Sequence, residues 1–279
     1  MSVNAAFAGR TPSPADIARA IRPGWPFALL IAGSGAGGWL CLTSEFGRNL
    51  TSIVGTVLLV ISGWVISICL HEFGHAVAAF RFGDRTAELR GYLTLNPARY
   101  THPGLSLGLP ILIILLGGIG FPGGAVYLDE RGMTRSQRTI VSLAGPAANL
   151  VLGAVLLGVI RVCGPFTATS AGFLIIDPTG LNLWAALAML AFLQITAAVL
   201  NLIPVPGFDG YGAIEPYLAP QTRHSAAKIA PYGFLIVFAL LFIPQLNAAF
   251  FDLIRWLFEL SGLPSGLATQ GSNVFMFWR

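Results

Sequence analysis

The sequence predicts an all-α polytopic membrane protein of about six transmembrane helices plus a re-entrant or bent segment rich in glycine and proline. Three observations carry that prediction. Hydrophobic residues make up 55% of the 279 residues and charged residues only 10%, against about 25% charged in an ordinary soluble domain. Too few charges remain to cover a water-facing surface. Six stretches free of Asp, Glu, Lys and Arg reach the roughly 20 residues that a helix needs to cross a bilayer: Gly24–Ser44, Asn49–Leu70, Tyr100–Leu128, Thr139–Ile160, Pro178–Phe208 and Ile229–Phe251. The segments between them carry clusters of arginine placed as in cytoplasmic loops. The same composition speaks against nucleic acid as a partner. Sixteen Lys+Arg against twelve Asp+Glu leave a formal charge of only +4, scattered along the chain, which suits anionic lipid headgroups better. The three cysteines, Cys41, Cys69 and Cys163, are odd in number and lie in apolar sequence, so no disulfide framework is implied.

Taken in order, residues 1–22 read as a cytoplasmic N-terminal tail, because Arg10, Asp16, Arg19 and Arg22 interrupt them and no cleavable apolar core is present. Residues 23–262 form one integral membrane domain, and 263–279 a C-terminal tail. With the N-terminus inside, the Glu45–Arg48 turn lies outside, and Arg81, Arg85, Arg90 and Arg99 return inside. Arg131, Arg135 and Arg138 also read as cytoplasmic. The stretch 105–128 must therefore cross an even number of times or not at all, and its Gly-Gly and Pro-Gly-Gly breaks favour a bent or re-entrant element. Thr139–Ile160 then runs outward and roughly Asn182–Pro204 runs back. A final pair, near Ile229–Ile243 and Leu246–Leu260, is broken by Pro244.

The second span ends in ISICLHEFGHAVAAFRFG. His71 and His75, four apart on a helix, share a face where both imidazoles reach one metal ion. Glu72 sits beside that face and can act as general base toward water. Three ionisable groups within five residues of an apolar helix each cost a few kcal/mol at the centre of a bilayer. Metal coordination, worth roughly 10 kcal/mol or more for zinc, offsets that cost. Cys69 falls on a roughly opposite face and is excluded as a ligand. A catalytic zinc site takes three protein ligands and keeps one position open. Of the candidates for the third, His102 and His224 read as solvated histidines. Asp209 ends the apolar stretch AVLNLIPVPGFDGYGAI, whose Asn201, Pro204, Pro206, Gly207 and Gly210 interrupt the helix. It is the better candidate; its rival role is to cap the next helix at the membrane surface. The second span and the Asn182–Pro204 span run in the same direction, so His71, His75 and Asp209 can meet in the cytoplasmic half.

His71-Glu72-Phe73-Gly74-His75 with Asn201-Leu202-Ile203-Pro204 and then Asp209-Gly210 resembles the paired signature of the site-2 protease family of intramembrane zinc metallopeptidases. Ala144-Gly145-Pro146-Ala147-Ala148-Asn149 is similar to a further element of that family, and the resemblance covers about Val54 to Tyr217. It implies one Zn2+ held by His71, His75 and Asp209, with Glu72 as catalytic acid/base. It also implies a membrane-protein substrate that spans the bilayer and is cut within or near its transmembrane segment. A few short β-strands near the active site, over Ala87–Tyr100, are part of the same expectation. Two departures stand out. Tyr211 follows Asp209-Gly210 where many members have a second glycine, and Gly207-Phe208 precedes it where they have Pro-Leu. The external segment Arg161–Leu181 is also far too short for the PDZ domain many bacterial members insert.

Asn149 and Asn201 are candidates to hydrogen-bond an unwound substrate strand or the site's own backbone, with simple interhelical bonding as the alternative. Pro204 and Gly210 are expected to shape the site, and Gly117–Gly124 to place an edge or loop near it. The rival reading is a metal-ion transporter with His71, His75 and Asp209 as a transit site. Glu72 inside the histidine pair counts against it, because transit requires no general base. A catalytically silent scaffold with a structural metal is the third reading. A multi-pass protein of a prokaryotic inner membrane is the expected setting.

Overall fold

The computed structural model describes residues 12–100, 132–169, 172–175 and 179–279. His102, the 105–128 segment and Gly117–Gly124 lie outside the described residues. Helices are numbered here in chain order among those described. A short α1 (Pro14–Ala20) precedes α2 (Trp25–Thr43) and the long α3 (Leu50–Arg81). Two single turns, α4 (Thr86–Leu89) and α5 (Pro97–Tyr100), lead toward α6 (Arg135–Cys163). A hairpin of β1 (Phe166–Thr169) and antiparallel β2 (Gly172–Ile175) connects α6 to α7 (Leu181–Asn201). Then follow α8 (Asp209–Ile214), α9 (Pro220–Ile229), α10 (Gly233–Leu240), α11 (Pro244–Glu259) and α12 (Gly266–Phe275).

Four of these, α2, α3, α6 and α7, are long and apolar enough to cross a membrane, and the segments Pro220–Leu240 and Pro244–Glu259, bent by 95°, add a fifth if counted as one span. The protein is an integral membrane protein. The expected count of about six differs because one of the six charge-free stretches falls in residues outside the description. The bend falls where Pro244 was expected to break the last pair, since proline cannot donate to the helix ladder and opens α11 instead.

Capping explains where the long helices begin. Asn49 and Ser52 bond reciprocally at the start of α3, and Thr134 and Gln137 do the same at the start of α6. α3 is the central post, packed against α2, α6 and α7. Close approach to α2 rests on glycine: a Cβ on Gly37 would lie 2.5 Å from Leu59 N and 2.7 Å from Gly55 O. Leu59, Val60, Trp64 and Ile68 of α3 pack with Ala186 and Leu190 of α7. A second cluster joins Leu157 and Ile160 of α6 to Ala188, Ala191 and Ile195 of α7 and to Ile254 and Phe258 of α11. Asn182, buried at the start of α7, clips the α2–α3 turn. Its Nδ2 donates to Ser44 Oγ and Glu45 O at 2.8 Å, and its Oδ1 accepts from Gly47 N at 3.3 Å.

The expected strands are corrected. Ala87–Tyr100 forms no strand: Asp84 Oδ1 accepts from Thr86 N and Asn96 Oδ1 from Ala98 N, Asx contacts that start helical turns. Gly91 at φ 73° and Leu95 at φ 53° separate those turns. The strands that do occur stand at the far end of α6, ~27 Å along its axis from Gly145, not near the candidate site. The C-terminal segment 263–279 is largely helical and packed on the bundle. Leu263, Ala268, Val274 and Phe275 are buried, and a Cβ on Gly271 would lie 2.7 Å from Ala185 C, so α12 packs backbone to backbone on α7. The described part of 1–22 is likewise docked, with Ile17 and Ala20 against the cluster of Phe80, Tyr92 and Leu93.

Candidate metal centre

His71 and His75 project from one face of α3, one turn apart. Their Nε2 atoms are 3.2 Å from each other and the rings stand at 80°. The third member arrives from the other side of the bundle. α7 ends at Asn201, and Pro204 lies beyond it where the helix cannot continue. The chain then reverses through Gly207, at φ 103° in the left-handed region, so that α8 begins at Asp209. Gly210 makes the reversal possible: a Cβ there would lie 2.8 Å from Ile203 O and closer still to Leu202 O. Thr139 Oγ1 donates to Ala213 O at 2.7 Å and ties α8 to α6. Asp209 thereby places Oδ2 3.2 Å from His71 Nε2 and Oδ1 3.4 Å from His75 Nε2. The three ligand atoms lie within 4.8 Å of one another.

The far ring nitrogens fix what the near ones present. His75 Nδ1 lies 2.7 Å from Val141 O. A carbonyl only accepts, so Nδ1 carries a proton, and in the neutral ring Nε2 keeps its lone pair. His71 Nδ1 lies 2.9 Å from Asn149 Oδ1, which imposes the same tautomer. Two lone pairs then confront each other at 3.2 Å beside a carboxylate. Asp209 Oδ2 is itself buried without a hydrogen-bond partner. Four electron-rich atoms converging on one small volume repel unless a cation lies among them, and two imidazoles with one carboxylate are a zinc donor set. The residues fit such an ion.

α6 supplies no ligand but arranges both histidines. Pro146 lies inside the helix and cannot donate to Ser142 O, so the ladder is already broken at the turn where Val141 O accepts from His75. Gly145 clears the space in front of the rings. A Cβ there would come 2.7 Å from His71 Nε2 and nearer still to His75 Nε2. Gly74 lets the two helices cross closely, since its Cβ would lie 2.7 Å from Ala144 O. Glu72, 4% exposed, follows His71 directly on α3. The site opens toward α8: the Asp209 side chain keeps 23% exposure against 9% for His75.

Of the residues expected from the sequence, the structure brings His71, His75, Asp209 and Asn149 into one cluster, with Glu72 and Gly210 beside its members. Asn149 is spent on His71. Asn201 ends α7 and is not hydrogen-bonded to the cluster. His224 is exposed on α9, and Cys69 packs in the apolar cluster around Phe80. Sequence reasoning missed Val141, Thr139, Gly74 and Gly145 as site-builders. The Gly145-Pro146 pair inside an apolar helix was the available signal.

The fold and this donor set define a membrane-embedded metallopeptidase. Residues 59–175 match the model of Peptidase family M50. The chain is 53% identical over 260 residues to Rip2 of Mycolicibacterium smegmatis, covering 93% of this chain and 96% of that one. It is 46% identical over 258 residues to Rip2 of Mycobacterium tuberculosis, covering 92% and 95%. It is also 33% identical over 191 residues to YwhC of Bacillus subtilis, covering 66% and 80%. All three relatives carry the name of a zinc metalloprotease. No solved structure matches the chain. The chain belongs to peptidase family M50, the site-2 protease family, which settles the choice between hydrolase, transporter and silent scaffold in favour of the hydrolase.

Proposed function

We propose that the protein is an intramembrane zinc metalloprotease that hydrolyses a peptide bond within or near a transmembrane segment of a membrane-protein substrate. One Zn2+ is held by His71, His75 and Asp209, and Glu72 is the general acid/base. The observation that carries the reading is the convergence of two lone-pair Nε2 atoms and a carboxylate from separate helices, with both opposite ring nitrogens already committed. A zinc ion in this position supplies Lewis acidity, polarising a carbonyl and making water acidic enough, near pKa 7, to react at neutral pH.

The chain's own residues do the rest. His75 and His71 are locked by Val141 O and Asn149 Oδ1, so neither ring turns during the reaction. Glu72 takes a proton from the attacking water and delivers it to the leaving amide nitrogen, a transfer worth about 10²–10⁴-fold in rate. The half-open Asp209 side gives water its approach, while the rest of the cluster stays buried. A helical substrate hides its amides in its own ladder, so it must unwind locally before attack. The arginines at 81, 85, 90, 99, 135 and 138 support a cytoplasmic position for the site end of α3, and a prokaryotic inner membrane is the setting proposed.

The test compares wild type with Glu72→Gln in zinc content and in cleavage of a membrane-embedded reporter. Retained zinc with cleavage abolished is the expected result; zinc lost together with activity makes Glu72 structural. His71→Ala, His75→Ala and Asp209→Ala should each lower zinc content, and normal zinc in Asp209→Ala removes the carboxylate from the site.

A further inference from the structure

α11 turns a charged face out of the bundle. Its inner face, Ile254 and Phe258, is buried. Phe258 meets Phe192 with ring centroids 6.1 Å apart, and Phe250 packs in the cluster of Leu200 and Val237, so α11 runs alongside α7. Phe192 stands at the middle of α7, whose 21 residues extend ~31 Å, a full hydrocarbon thickness. Phe258 therefore lies near the middle of the bilayer. Asp252 and Arg255 precede it by ~9 Å and ~5 Å along the helix. However α11 tilts, both stay inside the ~15 Å half-thickness of the hydrocarbon. Their side chains nevertheless keep 67% and 47% exposure. Arg255 Nη2 donates to Asp252 Oδ1, and neither makes another hydrogen bond or ion pair among the described residues. That contact occupies one carboxylate oxygen and one of five guanidinium donors. Lipid offers the remainder nothing, and ionisable groups at such depth face protein or a water-filled cavity.

We propose that the outer face of α11 is a homodimer interface within the membrane, on which a second copy of this chain covers Asp252 and Arg255. The spacing is that of a helix–helix seam: Gln245, Ala248, Asp252 and Arg255, all exposed, follow one another at steps of three, four and three. Small and polar residues are what hold helices together in lipid. Leu253 and Trp256, also exposed, flank the charges, so the face is not one that water wets along its length. The charges themselves select the partner. Two copies of one membrane protein share a topology, and a two-fold axis along the bilayer normal sets equal residues at equal depth. A helical arginine leans toward the N-terminus of its helix, which carries Arg255 to the level of Asp252 on both copies. Two carboxylates and two guanidiniums then close a neutral ring, Ala248 lets the backbones approach, and Gln245 meets the same carboxamide of the second copy. The face is its own complement, whereas an unrelated helix would need matching charges at the same depth. The inference stands apart from the metal centre and from the reading of its chemistry.

The experiment measures the mass of the full-length protein in mild detergent by light scattering, and cross-linking through Ala248→Cys in intact membranes, with Cys163→Ser removing the exposed native thiol. Wild type is expected to have the mass of two chains, and Ala248→Cys to give a disulfide-linked dimer. Asp252→Arg and Arg255→Asp each place four like charges across the seam, which like-charge repulsion opposes, so each alone should fall to the mass of one chain. Co-expressed, the two restore two positive and two negative charges and should pair with each other. Thermal melting of each variant confirms that it is folded, and recovery of the mixed pair is a result that mere misfolding does not give. A one-chain mass for wild type together with no cross-link in membranes would overturn the proposal. So would a dimer that survives in both single variants, which puts the contact elsewhere, or variants that stay apart when mixed. Ready labelling of Asp252→Cys by a membrane-impermeant thiol reagent in a one-chain protein would show that the face meets water instead, and overturns it equally.

Discussion

Gly145→Ala adds one methyl group to the most confined point of the metal centre. The new Cβ would sit 2.7 Å from His71 Nε2 and nearer to His75 Nε2, where ordinary carbon–nitrogen contact needs about 3.5 Å. Something must move by about 1 Å or more. The rings cannot swing freely, because His75 is held to Val141 O at 2.7 Å and His71 to Asn149 at 2.9 Å. Nor can α6 simply withdraw, because the Gly74–Ala144 crossing already brings backbone against backbone. Metal sites tolerate ligand displacements of roughly 0.2 Å, so a shift several times larger should weaken zinc binding by at least about 100-fold, or ~2.8 kcal/mol. Helix propensity works the other way, since alanine is favoured over glycine by about 1 kcal/mol in a helix interior. The apo protein should therefore stay folded while metal is lost. Zinc per protein and chelator competition read this directly. Gly158→Ala on the same helix is the control: nothing lies within 4 Å of its Cβ, so zinc affinity should not change. Wild-type zinc affinity in Gly145→Ala would mean that the two Nε2 atoms do not face α6 and that the assigned centre is wrong.

Other outcomes follow from the same geometry. Gly210→Ala should lower zinc content about 10-fold or more, because its Cβ, 2.8 Å from Ile203 O, pushes α8 and the adjacent Asp209 away; unchanged metal content would show that α8 has room to spare. Asn182→Ala should cost about 1–3 kcal/mol in thermal stability through the loss of its three bonds to the α2–α3 turn. It should leave zinc binding intact, since it lies ~28 Å along α7 from Asn201, the end of the helix that leads into the site. Stripping zinc with a chelator should lower the melting temperature, and zinc at a thousand times its Kd should restore about 4 kcal/mol; a melting curve indifferent to metal would separate the ion from the folded state.

The membrane class, the four long spans and the histidine pair were legible because each rests on local pattern: charge-free length, capping residues and helical spacing. Asp209 was legible through chain direction, since two spans running the same way bring their ends together. The short strands were misplaced because Ala87–Tyr100 has no alternation of its own, and Asp84 and Asn96 turn that segment helical instead. The buried C-terminal helix was hidden by composition: GLATQGSNVF looks polar and glycine-rich, yet Gly271 is what lets it lie on the α7 backbone. Of the two roles open to Asn149 in the sequence, the interhelical bond is the one it makes, to His71, and nothing in its surroundings along the chain reveals that partner, because the α3–α6 crossing at Gly74 is a feature of the fold.

That crossing explains why a helix without ligands is tied so closely to the metal centre. A histidine pair on a lone helix has free tautomers and free χ2 angles, and would bind metal only after paying for both. α6 removes that freedom at three successive points on one face. Gly145 sets the distance, the carbonyl of Val141 holds His75 beside the proline break, and Asn149 holds His71 one turn further on. Each task requires the crossing to be close, and closeness requires glycine on both partners. Any substitution that widens the α3–α6 crossing, even at Gly74, which touches neither ring, should therefore reach the metal by loosening both second contacts together. Gly74→Ala is then expected to resemble Asn149→Ala in zinc affinity more than it resembles an ordinary packing variant, and a Gly74→Ala protein that loses stability while keeping full zinc affinity would break the link between crossing and site.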